Sequence, residues 1–85
     1  MSQHTPNELT EIFKRERDAL TRLKTKNRHF ARLADTYHEV NREVHRIEAG
    51  NEFASDERTE ELKKKRLALL DEITAMVHAQ HGVTA

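Results

Sequence analysis

Phe30-Ala31-Arg32-Leu33-Ala34-Asp35-Thr36-Tyr37-His38-Glu39-Val40-Asn41-Arg42-Glu43-Val44-His45-Arg46-Ile47 places apolar side chains at 30, 33, 37, 40, 44 and 47. Steps of three and four alternate without a miss, the a/d spacing of a helix that buries one stripe. Toward the N-terminus the register continues through Leu9, Ile12, Glu16, Ala19, Leu23 and Lys26, and Phe13 and Leu20 widen it on one side. Thr5-x-x-Glu8 reads as a capping box with Pro6 at the first helical position. One long helix is therefore predicted over 6–49, preceded by a disordered 1–5.

Gly50 suits the left-handed residue just past a helix end. A turn over 50–55 follows, with Ser55 and Asp56 as N-cap candidates and Glu57, Glu60 and Glu61 favouring the helix dipole. A second helix is predicted over 56–80, with a frayed 81–85. Its seam is Leu62, Arg66, Leu69, Ile73 and Met76, flanked by Leu70 and Val77, while Leu67 lies off it. Arg66 can pack its stem in the seam and send its guanidinium toward Glu39 or Glu43.

The fold class expected is all-α: an antiparallel two-helix hairpin with a longer first helix. Phe30, Leu33, Tyr37, Val40, Val44 and Ile47 form its core with Leu62, Leu69, Ile73 and Met76. At 1.5 Å per residue the first helix is about 65 Å long and the second about 37 Å. Residues 25–49 are thus paired, and 6–24 project with nothing to cover their apolar side chains. Small two-helix units seldom outweigh the entropy of ordering their chain. Self-association is the expected remedy, most simply as a dimer, or else capture by another protein. The residues assigned to that interface are Leu9, Ile12, Phe13, Leu20, Leu23, Leu67, Leu70 and Val77.

Composition limits the function classes. The 85 residues hold 15 Lys+Arg and 15 Asp+Glu, a formal net charge of zero, which excludes a uniformly basic coat but not a local patch. With no Cys, disulfides and thiolate chemistry are out. The longest apolar run, Leu67-Ala68-Leu69-Leu70, is far too short to span a bilayer, and Met1-Ser2-Gln3-His4-Thr5 has no signal-peptide character. A cytoplasmic location is the expectation.

Certain residues carry a family pattern. They are Leu23-Lys24, Asn27, Phe30, Leu33, Tyr37-His38, Val44, and Ile47-x-x-Gly50 with Glu48 between, followed by Ser55-Asp56. The most specific part is Leu62-Lys63-Lys64-x-Arg66-Leu67-x-Leu69-x-Asp71-Glu72-Ile73. From about Arg15 to Val77 the chain resembles the YdcH-like family of small bacterial proteins. The resemblance implies a cytoplasmic α-helical hairpin and brings no reaction, ligand or catalytic residue. Where the family pattern has Lys, this chain has Leu70.

No set of residues points to catalysis. His38 and His45 are seven apart, about 10.5 Å along a helix, too far to share a tetrahedral zinc. His29, His78 and His81 gather near the open end of the expected hairpin, but His78 points away from its interface. Asp35-x-x-His38 has no counterpart on the second helix for a di-iron site. Glu39 and Glu43 lie on an exposed face, without the burial that general acid work requires. No enzyme activity, metal or cofactor is expected.

Two basic stretches remain. Lys63-Lys64-Lys65-Arg66 reads as a solvated face, with Glu60→Lys64 and Glu61→Lys65 as favourable pairs. Residues 13–32 carry eight cations (Lys14, Arg15, Arg17, Arg22, Lys24, Lys26, Arg28 and Arg32) against Glu16 and Asp18, a local charge of +6. Arg15, Arg22 and Lys26 flank one side of the apolar stripe, and Arg17, Lys24 and Arg28 the other. The first functional expectation is a non-catalytic, self-associating interaction module, its basic segment resting on acidic surface of a second copy. The second is a nucleic-acid or anionic-surface binder using Arg15, Arg22, Lys24, Lys26 and Arg28.

Overall fold

The computed structural model describes residues 6–83 and is all-helical over them. Four helices follow in order: α1 (Leu9–Ile12), α2 (Arg17–Lys26), α3 (Arg28–Glu48) and α4 (Asp56–Val83). The single helix expected over 6–49 is thus divided into three, and its N-terminal part does not project. Of the expected capping box, Thr5 lies outside the described residues, and Pro6 and Asn7 precede the first helix. Glu8 is its N-cap without using its side chain to cap it.

The second division rests on one residue. Asn27 adopts an extended backbone (φ −124°, ψ 108°) and serves as both the C-cap of α2 and the N-cap of α3. Its N–H donates to Leu23 O at 2.9 Å, and its Oδ1 accepts from Phe30 N at 3.0 Å. Asparagine is a mediocre interior helix residue and a strong N-cap, so the break falls where the sequence tolerates it best. The first division, Phe13 to Glu16, is a turn whose C-terminal residue makes no side-chain cap.

α3 and α4 are joined through residues 49–55, and their cross-contacts run in opposite order along the two helices. His29 Nε2 meets Glu72 at 2.8 Å, Asn41 meets Arg66 at 3.0 Å, and Glu43 meets Arg58 at 3.4 Å. Gly50 is left-handed (φ 81°) and completes a Schellman ending. Asn51 N bonds Arg46 O at 2.9 Å and Gly50 N bonds Ile47 O at 3.1 Å. Of the two cap candidates the fold uses Ser55, whose Oγ accepts from Arg58 N at 3.0 Å. α4 continues three residues beyond the expected end at 80, through Gly82.

Folding back at Asn27 lays α1 and α2 against α3 and α4. Leu9, Phe13, Ala19, Leu20 and Leu23 join Phe30, Ala34, Tyr37, Ile73 and Val77 in one buried cluster, with Leu33, Leu69, Leu70 and Met76 packed against it. A smaller cluster of Val40, Val44 and Leu62, flanked by Ile47 and Leu69, lies nearer the turn. Most of the surplus apolar stripe is therefore sheltered by its own chain, Ile12 and Leu67 excepted. The molecule measures 44 × 30 × 19 Å, shorter than the long helix expected from the sequence.

Candidate interaction site

Polar contacts fasten the start of the described chain to α3. Asn41 is 1% exposed, and its Nδ2 donates to Pro6 O and to Glu8 Oε2, both at 2.8 Å. Its Oδ1 accepts from Arg66 Nη1 at 3.0 Å. Arg66 thus turns inward to Asn41, because a buried amide oxygen needs a donor, while Glu39 stays exposed and the partly buried Glu43 is met by Arg58 at 3.4 Å. Tyr37 Oη donates to Asn7 O at 2.7 Å, and His38 Nδ1 lies 2.6 Å from Glu8 Oε1. Asn7 itself is left-handed (φ 63°), a conformation asparagine adopts more readily than most residues. No buried side-chain nitrogen or oxygen among the described residues lacks a partner.

Burial raises the Tyr37 phenol above its ordinary pKa; Arg66 opposes this and Glu8 adds to it. The folded state therefore holds the phenolic proton more tightly than the unfolded chain. The stabilisation is complete below the ordinary tyrosine value and is lost as pH rises through the higher folded one. Urea denaturation across the alkaline range should show wild-type stability falling more steeply than that of Tyr37→Phe. Parallel curves would contradict this reading of the phenol.

The sequence-predicted interface residues separate into two groups. Leu9, Phe13, Leu20, Leu23 and Val77 are buried within the chain, correcting their assignment to an exposed oligomer surface. Ile12 (40% exposed) and Leu67 (59%) remain on the surface. With Leu70 they line a shallow groove of about 200 Å³ beside Lys63 and Arg66. Phe53, in the turn, is fully exposed.

The cations behave differently. Arg15, Arg22, Lys24, Lys26 and Arg28 are all exposed, as are Lys14, Arg17 and Arg32, and none enters an ion pair among the described residues. On α2, Ala19, Leu20 and Leu23 face the core. At 100° per residue, Arg17 and Lys24 flank that side in one direction, Arg22 and Lys26 in the other. Lys24 also lines a cleft of about 270 Å³ together with the carboxylates of Glu8 and Asp35 and the ring of His38, a mixed lining with no single sign of charge.

In the Lys63–Arg66 run, Lys63 reaches Glu48 at 3.2 Å, while the expected Glu60–Lys64 and Glu61–Lys65 pairs do not form among the described residues. His29 is paired with Glu72, His78 is exposed, and the side chain of His81 lies outside the described residues. Among the described residues no three His, Asp or Glu side chains are grouped to hold a metal ion. No helix among them is long and apolar enough to cross a membrane.

The contacts centred on Asn41 were not foreseen from the sequence. The one local signal is that Asn41 sits one turn after Tyr37, at the edge of the seam. Its partners Pro6 and Glu8 are more than thirty residues away, beyond the reach of any spacing rule.

The model of a protein family described as "Protein of unknown function (DUF465)" matches residues 30–77, more than half of the chain. The match agrees with the YdcH-like resemblance and covers α4 to Val77 and nearly all of α3. It stops short of α1 and α2. No curated protein and no solved structure matches the chain.

Proposed function

The chain belongs to this DUF465 family of unknown function, and we propose that it is a non-catalytic interaction module that binds nucleic acid through the cations of α2 and its flanks. Its frame is an antiparallel α3–α4 hairpin, on which α2 is mounted. One observation carries the reading: the apolar side of α2 is sealed in the chain's own core, while its cations stand exposed and enter no ion pair among the described residues. A helix that rested on a protein through its leucines would leave them available. Phosphate contacts need only the charges, and guanidinium and ammonium groups on both flanks can reach separate phosphates. Self-association through the heptad seams has correspondingly less support, since five of its eight assigned residues are already buried.

With about four phosphate contacts, affinity for a short labelled duplex should fall roughly a hundredfold between about 50 and 200 mM salt. Arg22→Glu/Lys24→Glu/Lys26→Glu alters only exposed positions, so it should keep the helical spectrum and lose binding more than tenfold. Circular dichroism reads the fold, and fluorescence anisotropy of the labelled duplex reads the binding and its salt dependence. Binding indifferent to salt, or untouched in the triple variant, would overturn the proposal, as would no binding by the wild type at low salt.

A further inference from the structure

We propose that α1 and α2 form an exchangeable arm, and that the α3–α4 groove it fills also accepts the arm of a second copy, giving a reciprocal dimer. This is independent of nucleic-acid binding. The groove's occupant is already known: Leu9, Phe13, Leu20 and Leu23 sit in it at 8% exposure or less, against Phe30, Ile73 and Val77. Whatever fits one copy fits its twin, so the exchanged contacts are the same ones.

The hinge is Asn27. Apart from its extended backbone, nothing separates α2 from α3, and the apolar spacing runs in phase across it from Leu23 through the Lys26 position to Phe30. A helical Asn27 fuses residues 17–48 into one rod and carries the arm off its own groove. The rod continues the register that the sequence displays. Opening gives up the Asn27 Oδ1 bond to Phe30 N and gains the helical hydrogen bonds across the joint. The bonds from Tyr37 and Asn41 to Asn7, Pro6 and Glu8 re-form on the incoming arm. They therefore favour a filled groove without deciding which copy fills it.

Two substitutions bias the hinge in opposite senses. Asn27→Ala removes the cap and favours the fused helix, and with two hinges per dimer it should tighten association roughly thirtyfold. Arg28→Pro places proline at the first position of α3, where it is well tolerated. It also holds residue 27 extended, so this variant should stay folded and monomeric. Sedimentation reads the association, and isotope-filtered methyl contacts between Leu20 or Leu23 and Val77 in a mixed-label sample show whether the arm has crossed. The proposal predicts intermolecular contacts in the Asn27→Ala dimer. An Asn27→Ala protein that stays folded and monomeric at millimolar concentration would overturn it, and so would a dimer whose arm contacts are all intramolecular. Should Asn27→Ala not fold, wild-type protein refolded from urea at millimolar concentration must contain the crossed dimer; a wholly monomeric product overturns the proposal equally.

Discussion

Leu20→Asp should undock the first two helices and lower stability by about 3–5 kcal/mol. Leu20 is 2% exposed, in the cluster shared by α2, α3 and α4. Truncating a buried leucine costs about 2–5 kcal/mol, and the new carboxylate has no partner in that apolar setting. A domain of this size has only about 4–13 kcal/mol in hand, so the melting temperature should drop by roughly 15–30 °C. Arg22→Asp, an exposed substitution two residues along the same helix, should cost less than about 1 kcal/mol. The contrast separates a folded-back arm from a projecting one, since a solvated projection would tolerate both changes alike. Thermal melts at several concentrations check it. Similar small losses for the two variants would contradict the packing described.

Asn41→Ala should cost about 2–4 kcal/mol. The substitution leaves Pro6 O without its donor, takes one hydrogen bond from Glu8 and strands the guanidinium of Arg66 against a partly buried surface. Each polar group left unsatisfied on burial costs about 1–3 kcal/mol, more than the net worth of the hydrogen bond itself. His38→Ala touches the same cluster from the exposed side, where its pairing with Glu8 is screened by solvent, and should cost below about 1 kcal/mol. Equilibrium urea unfolding ranks the two. Equal effects would mean that Asn41 is not the centre of the fastening.

The parts of the fold legible in the sequence are those set by local chemistry. Six apolar residues from Phe30 to Ile47 announce α3, Gly50 announces its end, and Ser55 announces the start of α4. The return of the N-terminal arm is not announced this way, because a helical period cannot register one extended residue that leaves the phase unchanged. Asn27 is such a residue. In retrospect the polar seam positions are informative: Glu16 and Lys26 interrupt the stripe, and each lies beside one of the two breaks. A cation at residue 26 would sit poorly in a seam buried against its own chain, and ending α2 there leaves it exposed.

The candidate site divides along the same line. The cations of residues 13–32 were legible because charge on a helix surface needs no tertiary partner to be recognised, and all eight are indeed exposed. Which residues would cover the neighbouring leucines was not legible. The length mismatch between the two expected helices suggests a second chain, whereas the bend at Asn27, with the turn at residues 13–16, supplies the cover from within. The Asn41 contacts depend on that bend and so were hidden with it.

The packing of residues 9–26 on α3 and α4 is the contact on which the rest of the fold depends. Methyl nuclear Overhauser contacts in dilute, monomeric, labelled protein test this most directly. Cross-peaks linking Leu20 and Leu23 to Ile73 and Val77 are predicted, alongside those linking Val44 to Leu62. A spectrum with the second set but without the first would contradict the account.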